Sequence, residues 1–264
     1  MLFRGRPSPT DRAAVRAARR ESFELTQHEL VLPSLHPAHD GLRVAQLSDL
    51  HIGHGVPPGR IARAVAQVNS LEPDVVVLTG DFVTNARDSK ALVYELLAPL
   101  RAPRFAVLGN HDHWSGAPAL RLGLEHAGLA VLQNRNSAVR VRGAALVVVG
   151  VDDSTTRHDD VGAAFRGAAR GSRLVLTHTP SCAAKLPRDE GLLCLSGHTH
   201  GGQLDVPRLT RGVFKTIGQP WYRGAYEVGG NRLYVNRGLG FGRGTRLPRL
   251  NSEPEVTVLT LRCA

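Results

Sequence analysis

A chain of 264 residues with 42% apolar residues is long enough for one sizeable core and has no run near the roughly 18–20 apolar residues that span a bilayer. Its three cysteines, Cys182, Cys194 and Cys263, form no close pair, which excludes a disulfide framework or a cysteine zinc site and fits a reducing, cytoplasmic setting. The formal charge of +10 admits an anionic partner, but arginine supplies 30 of the 33 basic residues, a bias that weakens any reading from charge alone.

Residues 1–22 read as a basic, proline-punctuated extension with a short helix over Thr10–Arg20, and residues 23–264 as a single domain. The pair Arg19-Arg20 is followed by Glu21-Ser22-Phe23-Glu24 where an export signal would be apolar. Residues 23–32 predict an edge strand and Pro33–Gly41 a loop. Strands then alternate with helices: Arg43–Ser48, a helix near Gly59–Ser70, Asp74–Thr79, a helix over Ser89–Leu100, Arg104–Leu108, and a helix near Ala117–Ala127. That rhythm predicts βαβ units and a parallel sheet. The second half is richer in strands: Ala130–Leu132, Ala138–Val141, Ala144–Val151, Arg173–Thr177 and Leu192–Ser196, with helices near Asp159–Ala169 and Ser181–Leu186. Tyr222–Val228, Arg232–Asn236 and Glu255–Leu261 predict a mostly antiparallel end, with a hairpin turn at Gly229-Gly230-Asn231.

The chemistry sits where apolar runs stop. Asp49 and His51 follow Val44–Leu47, Asp81 follows Val75–Leu78, and Asn110 follows Phe105–Leu108. His178 follows Leu174–Leu176, and His198 and His200 follow Leu192–Leu195. In open α/β sheets ligands bind beyond the carboxyl ends of the strands. Two carboxylates, an amide and four imidazoles exceed the needs of one tetrahedral metal and suit two metals roughly 3.5–4 Å apart.

The series Asp49-x-His51, Gly80-Asp81, Gly109-Asn110-His111-Asp112, His178 and Gly197-His198-Thr199-His200 resembles the calcineurin-like metallophosphoesterase superfamily over roughly residues 43 to 203. The longer strings Ser48–Gly53 and Gly197–Gln203, and the tail Asn236–Gly240, are similar to a bacterial branch. That branch includes membrane-associated phosphoesterases and an enzyme hydrolysing UDP-2,3-diacylglucosamine. The resemblance implies a four-layer α/β/β/α sandwich. It also implies one metal on Asp49, His51 and His200, a second on Asn110, His178 and His198, and Asp81 bridging them. His111 matches the catalytic histidine, which contacts the phosphoryl oxygen or protonates the leaving group; Asp112 has no assigned role. After Asp81 the chain runs Phe82-Val83-Thr84-Asn85 without the Asp-Arg pair of the protein-phosphatase branch, which disfavours a phosphoprotein substrate.

The function this predicts is hydrolysis of a phosphodiester or diphosphate, such as a nucleotide-lipid, by a hydroxide held between two divalent ions. Such a pair neutralises phosphate charge and lowers the pKa of bound water from about 15.7 to about 7. Mixed nitrogen and oxygen ligands suit Mn, Fe, Zn or Co. A nucleic-acid or cyclic-nucleotide phosphodiesterase and a catalytically silent metal scaffold are the alternatives. His54, His113, Arg237 and Arg243 stand beside the motifs as substrate contacts, with Arg246 in the same loop. Tyr222, Phe241 and Trp221 read as core, and His28, His36, His39, His126 and His158 as surface or structural. The arginine-rich residues 4–20 are expected to touch anionic membrane at its inner face.

Overall fold

Each of the twelve stretches read as strands forms one, and they assemble into two six-stranded sheets. The computed structural model describes residues 21–53, 55–242 and 249–264; the expected helix over Thr10–Arg20, His54, Arg243 and Arg246 lie outside the described residues. The first sheet holds β1 (Glu24–Leu32), β2 (Leu42–Leu47), β3 (Val75–Thr79), β4 (Arg104–Val107), β5 (Ala130–Val131) and β12 (Glu255–Cys263), in the order β1-β12-β2-β3-β4-β5. The second holds β6 (Arg135–Val141), β7 (Ala144–Gly150), β8 (Arg173–Leu176), β9 (Leu193–Ser196), β10 (Gly224–Val228) and β11 (Asn231–Val235), in the order β10-β11-β9-β8-β7-β6.

The central strands are dominated by apolar residues that run consecutively, such as Val75–Leu78, because both of their faces are covered. Alternate residues of a strand point to opposite faces. Val75, Val77, Phe105 and Val107 meet Leu146, Val148, Leu174 and Leu195 between the sheets. Val76, Leu78 and Ala106 point the other way, onto α1 (Pro58–Ser70), α2 (Lys90–Leu97) and α4 (Ala117–His126), through Ile61, Val65, Leu97, Leu120 and Leu124. On the far side Val147, Val149, Val175 and Cys194 are covered by α5 (Val161–Phe165) and the 3₁₀ turn Pro180–Lys185, through Ala164 and Cys182. The result is the four-layer α/β/β/α sandwich, with a thin fourth layer.

Three local expectations change. The hairpin at Gly229-Gly230 is present, with both glycines at positive φ (57° and 74°), but β11 pairs with β9 in parallel. β12 crosses to the first sheet, parallel to β1 and antiparallel to β2. Its first five residues are all buried, so it needs cover on both faces, which a central position supplies and an edge does not. The helix expected over Asp159–Ala169 shrinks to α5: Asp160 caps it at the Ala163 N–H, and Gly167 turns the chain at φ 73°.

Glu255 pins this closing strand to the site loops. Its buried carboxylate accepts from Thr26 Oγ1 (2.6 Å), the Tyr234 hydroxyl (2.8 Å), Arg237 N (2.8 Å) and Arg237 Nε (3.1 Å). Burial pushes this carboxyl up, but the Arg237 charge and these bonds outweigh it and hold the group below its ordinary 4.5. Its stabilisation is therefore complete above pH 4.5 and is lost as pH falls through the lowered folded-state value. Glu255→Gln leaves Arg237 without its buried partner and is expected to cost roughly 3–5 kcal/mol at neutral pH. In urea melts the gap from wild type should narrow as pH drops below 4.5; a gap independent of pH would refute this.

Candidate metal centre

Every candidate ligand lies just past the carboxyl end of a strand. Asp49 and His51 follow β2, Asp81 follows β3, and Asn110 opens α3 (Asn110–Trp114) after β4. His178 follows β8, and His198 and His200 follow β9. The two sheets thus contribute to one edge of the sandwich. Asp49, His51, Asp81, His198 and His200 have φ of 48°, 46°, 55°, 72° and 51°, a left-handed conformation that such residues rarely adopt. Strain of this kind persists where the surrounding structure over-determines it. Close approach does so here: a Cβ on Gly109 would lie 2.2 Å from Asp81 Oδ1, and one on Gly197 would lie 1.9 Å from Ser48 Oγ.

The seven side chains converge. Ligand atoms of Asp49, His51 and His200 lie within 4.8 Å of one another, as do those of Asp49, Asp81 and His178. Asp81 Oδ2 sits between two imidazoles, 3.5 Å from His51 Nε2 and 3.3 Å from His178 Nε2. His178 Nε2 is also 3.2 Å from Asn110 Oδ1 and 3.1 Å from His198 Nδ1. His51 Nε2 and His200 Nε2 are 3.2 Å apart. Asp49 accepts from Ser48 Oγ (2.6 Å) and from the His198 N–H (3.0 Å), which fixes its carboxylate.

Hydrogen bonds outside the cluster set the tautomers. The Thr79 carbonyl accepts from His178 Nδ1 (2.8 Å), so a neutral His178 presents a bare Nε2 lone pair to Asp81. Two acceptors facing each other in a buried site require a cation between them. Burial opposes charge on His178, yet Asp81 and Asp49 outweigh it and hold its pKa well above 6.5. Burial works against the Asp81 charge as well, and His178 and His51 outweigh that and hold Asp81 well below its usual range. Positive charge is thus demanded at this point, as a proton or as a metal ion. The remaining imidazoles favour the metal-ready neutral form: burial pushes His51 down to about 3 and His198 to about 4, and holds His200 well below its usual value. Arg249 donates to His200 Nδ1 (3.1 Å), which leaves the neutral ring's proton on Nε2, so ligation through Nε2 requires the tautomer to change and this contact to open. The donor set fits divalent metal.

His111 is buried beside the cluster. Its N–H donates to Asp81 Oδ1 (2.9 Å), and its Nδ1 donates to the Thr84 carbonyl (2.8 Å), leaving Nε2 as the ring atom for proton transfer. Asp112, to which sequence gave no role, is the strut of the site. Its Oδ2 accepts from the N–H of Asp81 (2.8 Å) and Gly109 (2.9 Å), and its Oδ1 from those of Phe82 (2.8 Å) and Val83 (3.2 Å). Burial, reinforced by the Asp81 charge, pushes it up to about 7. Asp112→Ala strands these buried donors, each worth about 1–3 kcal/mol. It is expected to lower the melting temperature and to weaken metal binding about 10–100-fold, as loss of an outer support does. Unchanged metal affinity by titration calorimetry would refute the strut.

Other residues were missed or are displaced. Asp153 is buried under the site and accepts from Thr179 Oγ1 (2.8 Å) and Thr156 N (2.8 Å). It follows the apolar run of β7, so the rule that found Asp81 also marks it. Arg249 is the guanidinium that reaches the centre, also binding the Arg237 carbonyl (2.7 Å) and Gly240 O. Arg237, expected at phosphate, pairs with Glu255 (3.1 Å) and Glu24 (2.7 Å). His113 Nε2 donates to Asp152 Oδ1 (2.8 Å), and its ring stacks on that of the exposed His158 at 4.1 Å. Tyr222 is buried, and Phe241 and Trp221 pack against the cores.

Two cavities open here. One of about 210 Å³ is lined by Asp81, Asn110, His111, Trp114, Thr155, His198 and His200. The other, of about 430 Å³, shares Trp114 and adds His113, Pro118, Thr156 and His158.

The sequence model of the calcineurin-like phosphoesterase domain matches residues 42–202, the span that carries all seven side chains. The chain belongs to that family. This phosphoesterase is 32% identical over 248 residues to the uncharacterized metallophosphoesterase YkuE of Bacillus subtilis, covering 91% of this chain and 86% of YkuE. It is 33% identical over 246 residues to the phosphodiesterase YaeI of Escherichia coli, covering 90% and 88%. It is also 32% identical to a Danio rerio transmembrane protein with a metallophosphoesterase domain, covering 89% of this chain and 56% of that protein. The phosphoesterase is thus a phosphoester hydrolase whose Asp and His clusters suit divalent metal. Among its described residues no helix is long and apolar enough to cross a membrane.

Proposed function

We propose that the phosphoesterase cleaves a phosphodiester or diphosphate at a dinuclear centre. Asp49, His51 and His200 would hold one metal, Asn110, His178 and His198 the other, and Asp81 would bridge them. The placement of Asp81 Oδ2 between His51 and His178 carries this reading. Bound divalent ions would supply charge neutralisation at the phosphoryl oxygens and an acidified water. The protein's own part is orientation and proton transfer. His111, held at Nδ1 by the Thr84 carbonyl, presents Nε2 to the leaving group or a phosphoryl oxygen. Trp114, 55% exposed and edge-on to His111 at 5.0 Å, lines both the cavity beside the cluster and the outer one. The outer cavity, with His113 and His158, would receive the leaving group. Its size and mixed lining favour a diester or diphosphate with a substantial second group, and a UDP-2,3-diacylglucosamine-type nucleotide-lipid belongs to that class.

Purified protein is expected to turn over bis(p-nitrophenyl) phosphate with added Mn and to lose turnover on chelation; turnover indifferent to chelators would overturn the proposal. A panel of nucleotide-diphosphate lipids, cyclic nucleotides, monoesters and nucleic acids across salt distinguishes substrate classes. Contact of residues 4–20 with anionic membrane is a separate proposal. Liposome co-sedimentation of the full chain against one starting at Ser22 tests it, and equal binding removes it.

A further inference from the structure

The described residues include nine large apolar side chains that are about half exposed or more, and six of them belong to one patch: Leu204, Val206, Leu209, Val213, Ile217 and Leu250. Leu204 and Leu250 pair in an isolated bridge, and the others lie on or beside α6 (Pro207–Thr216), a helix that sequence reading missed. Val206, Leu209, Val213 and Ile217 are spaced by three, four and four residues, which places them on one stripe of the helix. An ordinary surface helix turns such a stripe inward. In α6 the only buried residue is Thr210, whose Oγ1 accepts from the Val206 N–H (2.9 Å). Phe214, stacked on Tyr222 at 5.3 Å, is the other attachment. The apolar stripe faces out, with Leu209 66% and Val213 50% exposed.

The opposite stripe is Arg208, Arg211 and Lys215, spaced by three and four and all exposed; α6 contains no acidic residue. We infer that α6, with Leu204 and Leu250, docks the protein on an anionic lipid bilayer. Charge complementarity selects this occupant. A second copy would satisfy the apolar stripe but would set three cations against three more on a chain already at +10. A bilayer takes an apolar stripe about 5–10 Å into the headgroup–acyl boundary and offers phosphates at the level of the polar face. Leu204 stands four residues beyond His200, so docking brings the metal centre beside the headgroups. The inference rests on exposure and charge, and stands independently of the phosphoesterase chemistry.

The test is co-sedimentation of the full-length protein with vesicles of phosphatidylcholine, with and without phosphatidylglycerol. Wild type is expected to pellet only with the phosphatidylglycerol vesicles and to be released by salt. Arg208→Gln, Arg211→Gln and Lys215→Gln should each weaken partitioning about fivefold. The exposed pair Leu209→Glu/Val213→Glu should weaken it at least about tenfold, with melting temperature and hydrolysis of bis(p-nitrophenyl) phosphate unchanged. In Leu209→Trp, indole emission should shift blue on anionic vesicles alone. Wild type remaining in the supernatant, or the double variant pelleting like wild type, overturns the inference. So does a wild-type dimer in sedimentation velocity that the double variant dissolves, since that makes the stripe an interface between copies.

Discussion

Asp81→Asn is expected to abolish metal-dependent turnover while leaving the fold intact. The amide oxygen of Asn can still accept the His111 N–H that Asp81 Oδ1 now holds at 2.9 Å, so the loop keeps its shape. What disappears is the buried negative charge between His51 and His178. That charge holds His178 well above 6.5 in the metal-free chain, against the burial that pulls it down. Without it, positive charge at this point loses its partner, whether carried by a proton or by a metal. Metal affinity should fall by more than the roughly 100-fold upper range for outer supports, because a direct ligand and its charge are removed together. Calorimetric titration with Mn and a far-ultraviolet spectrum check the two halves. Wild-type affinity in the variant would show that Asp81 holds no metal.

His111→Ala separates chemistry from metal binding. Metal content should stay at the wild-type value, since the ring contributes to neither ligand cluster and its contact with Asp81 runs through the backbone N–H, which alanine retains. Turnover should fall by about 10²–10⁴-fold, the range for a positioned acid–base group. A leaving-group series resolves the role. Loss that grows with the leaving group's pKa marks proton donation at Nε2, whereas loss uniform across the series marks a contact to the phosphoryl oxygen. Full activity in the variant would remove His111 from the reaction.

How much of this was legible in sequence depends on the range of the interaction. Asp49, His51, Asp81, Asn110, His178, His198 and His200 were found because each interrupts an apolar run with chemistry that does not belong in a core. The strands were legible for the same reason: runs such as Val75–Leu78 are apolar at every position. Asp153 obeys that rule as well, standing two residues past the run Ala144–Val151. Asp112 is different. Beside His111 it looks like part of a motif, and only the return of four N–H groups from Gly109 and the loop after β3 shows it to be a strut. Arg237 and Arg249 could not be told apart along the chain. Their targets, Glu255 and His200, lie 18 and 49 residues away, and pairing over such separations is set by packing.

The sequence by itself determined which residues stand at strand ends and that their donor atoms suit divalent metal. Periodicity and residue chemistry are local properties that survive without coordinates. Only the tertiary structure decided that β12 leaves the closing hairpin for the first sheet, that Asp81 Oδ2 falls between His51 and His178, and that α6 turns its apolar stripe outward. Each of these depends on which surfaces remain uncovered once the two sheets have packed, and a linear pattern does not specify that.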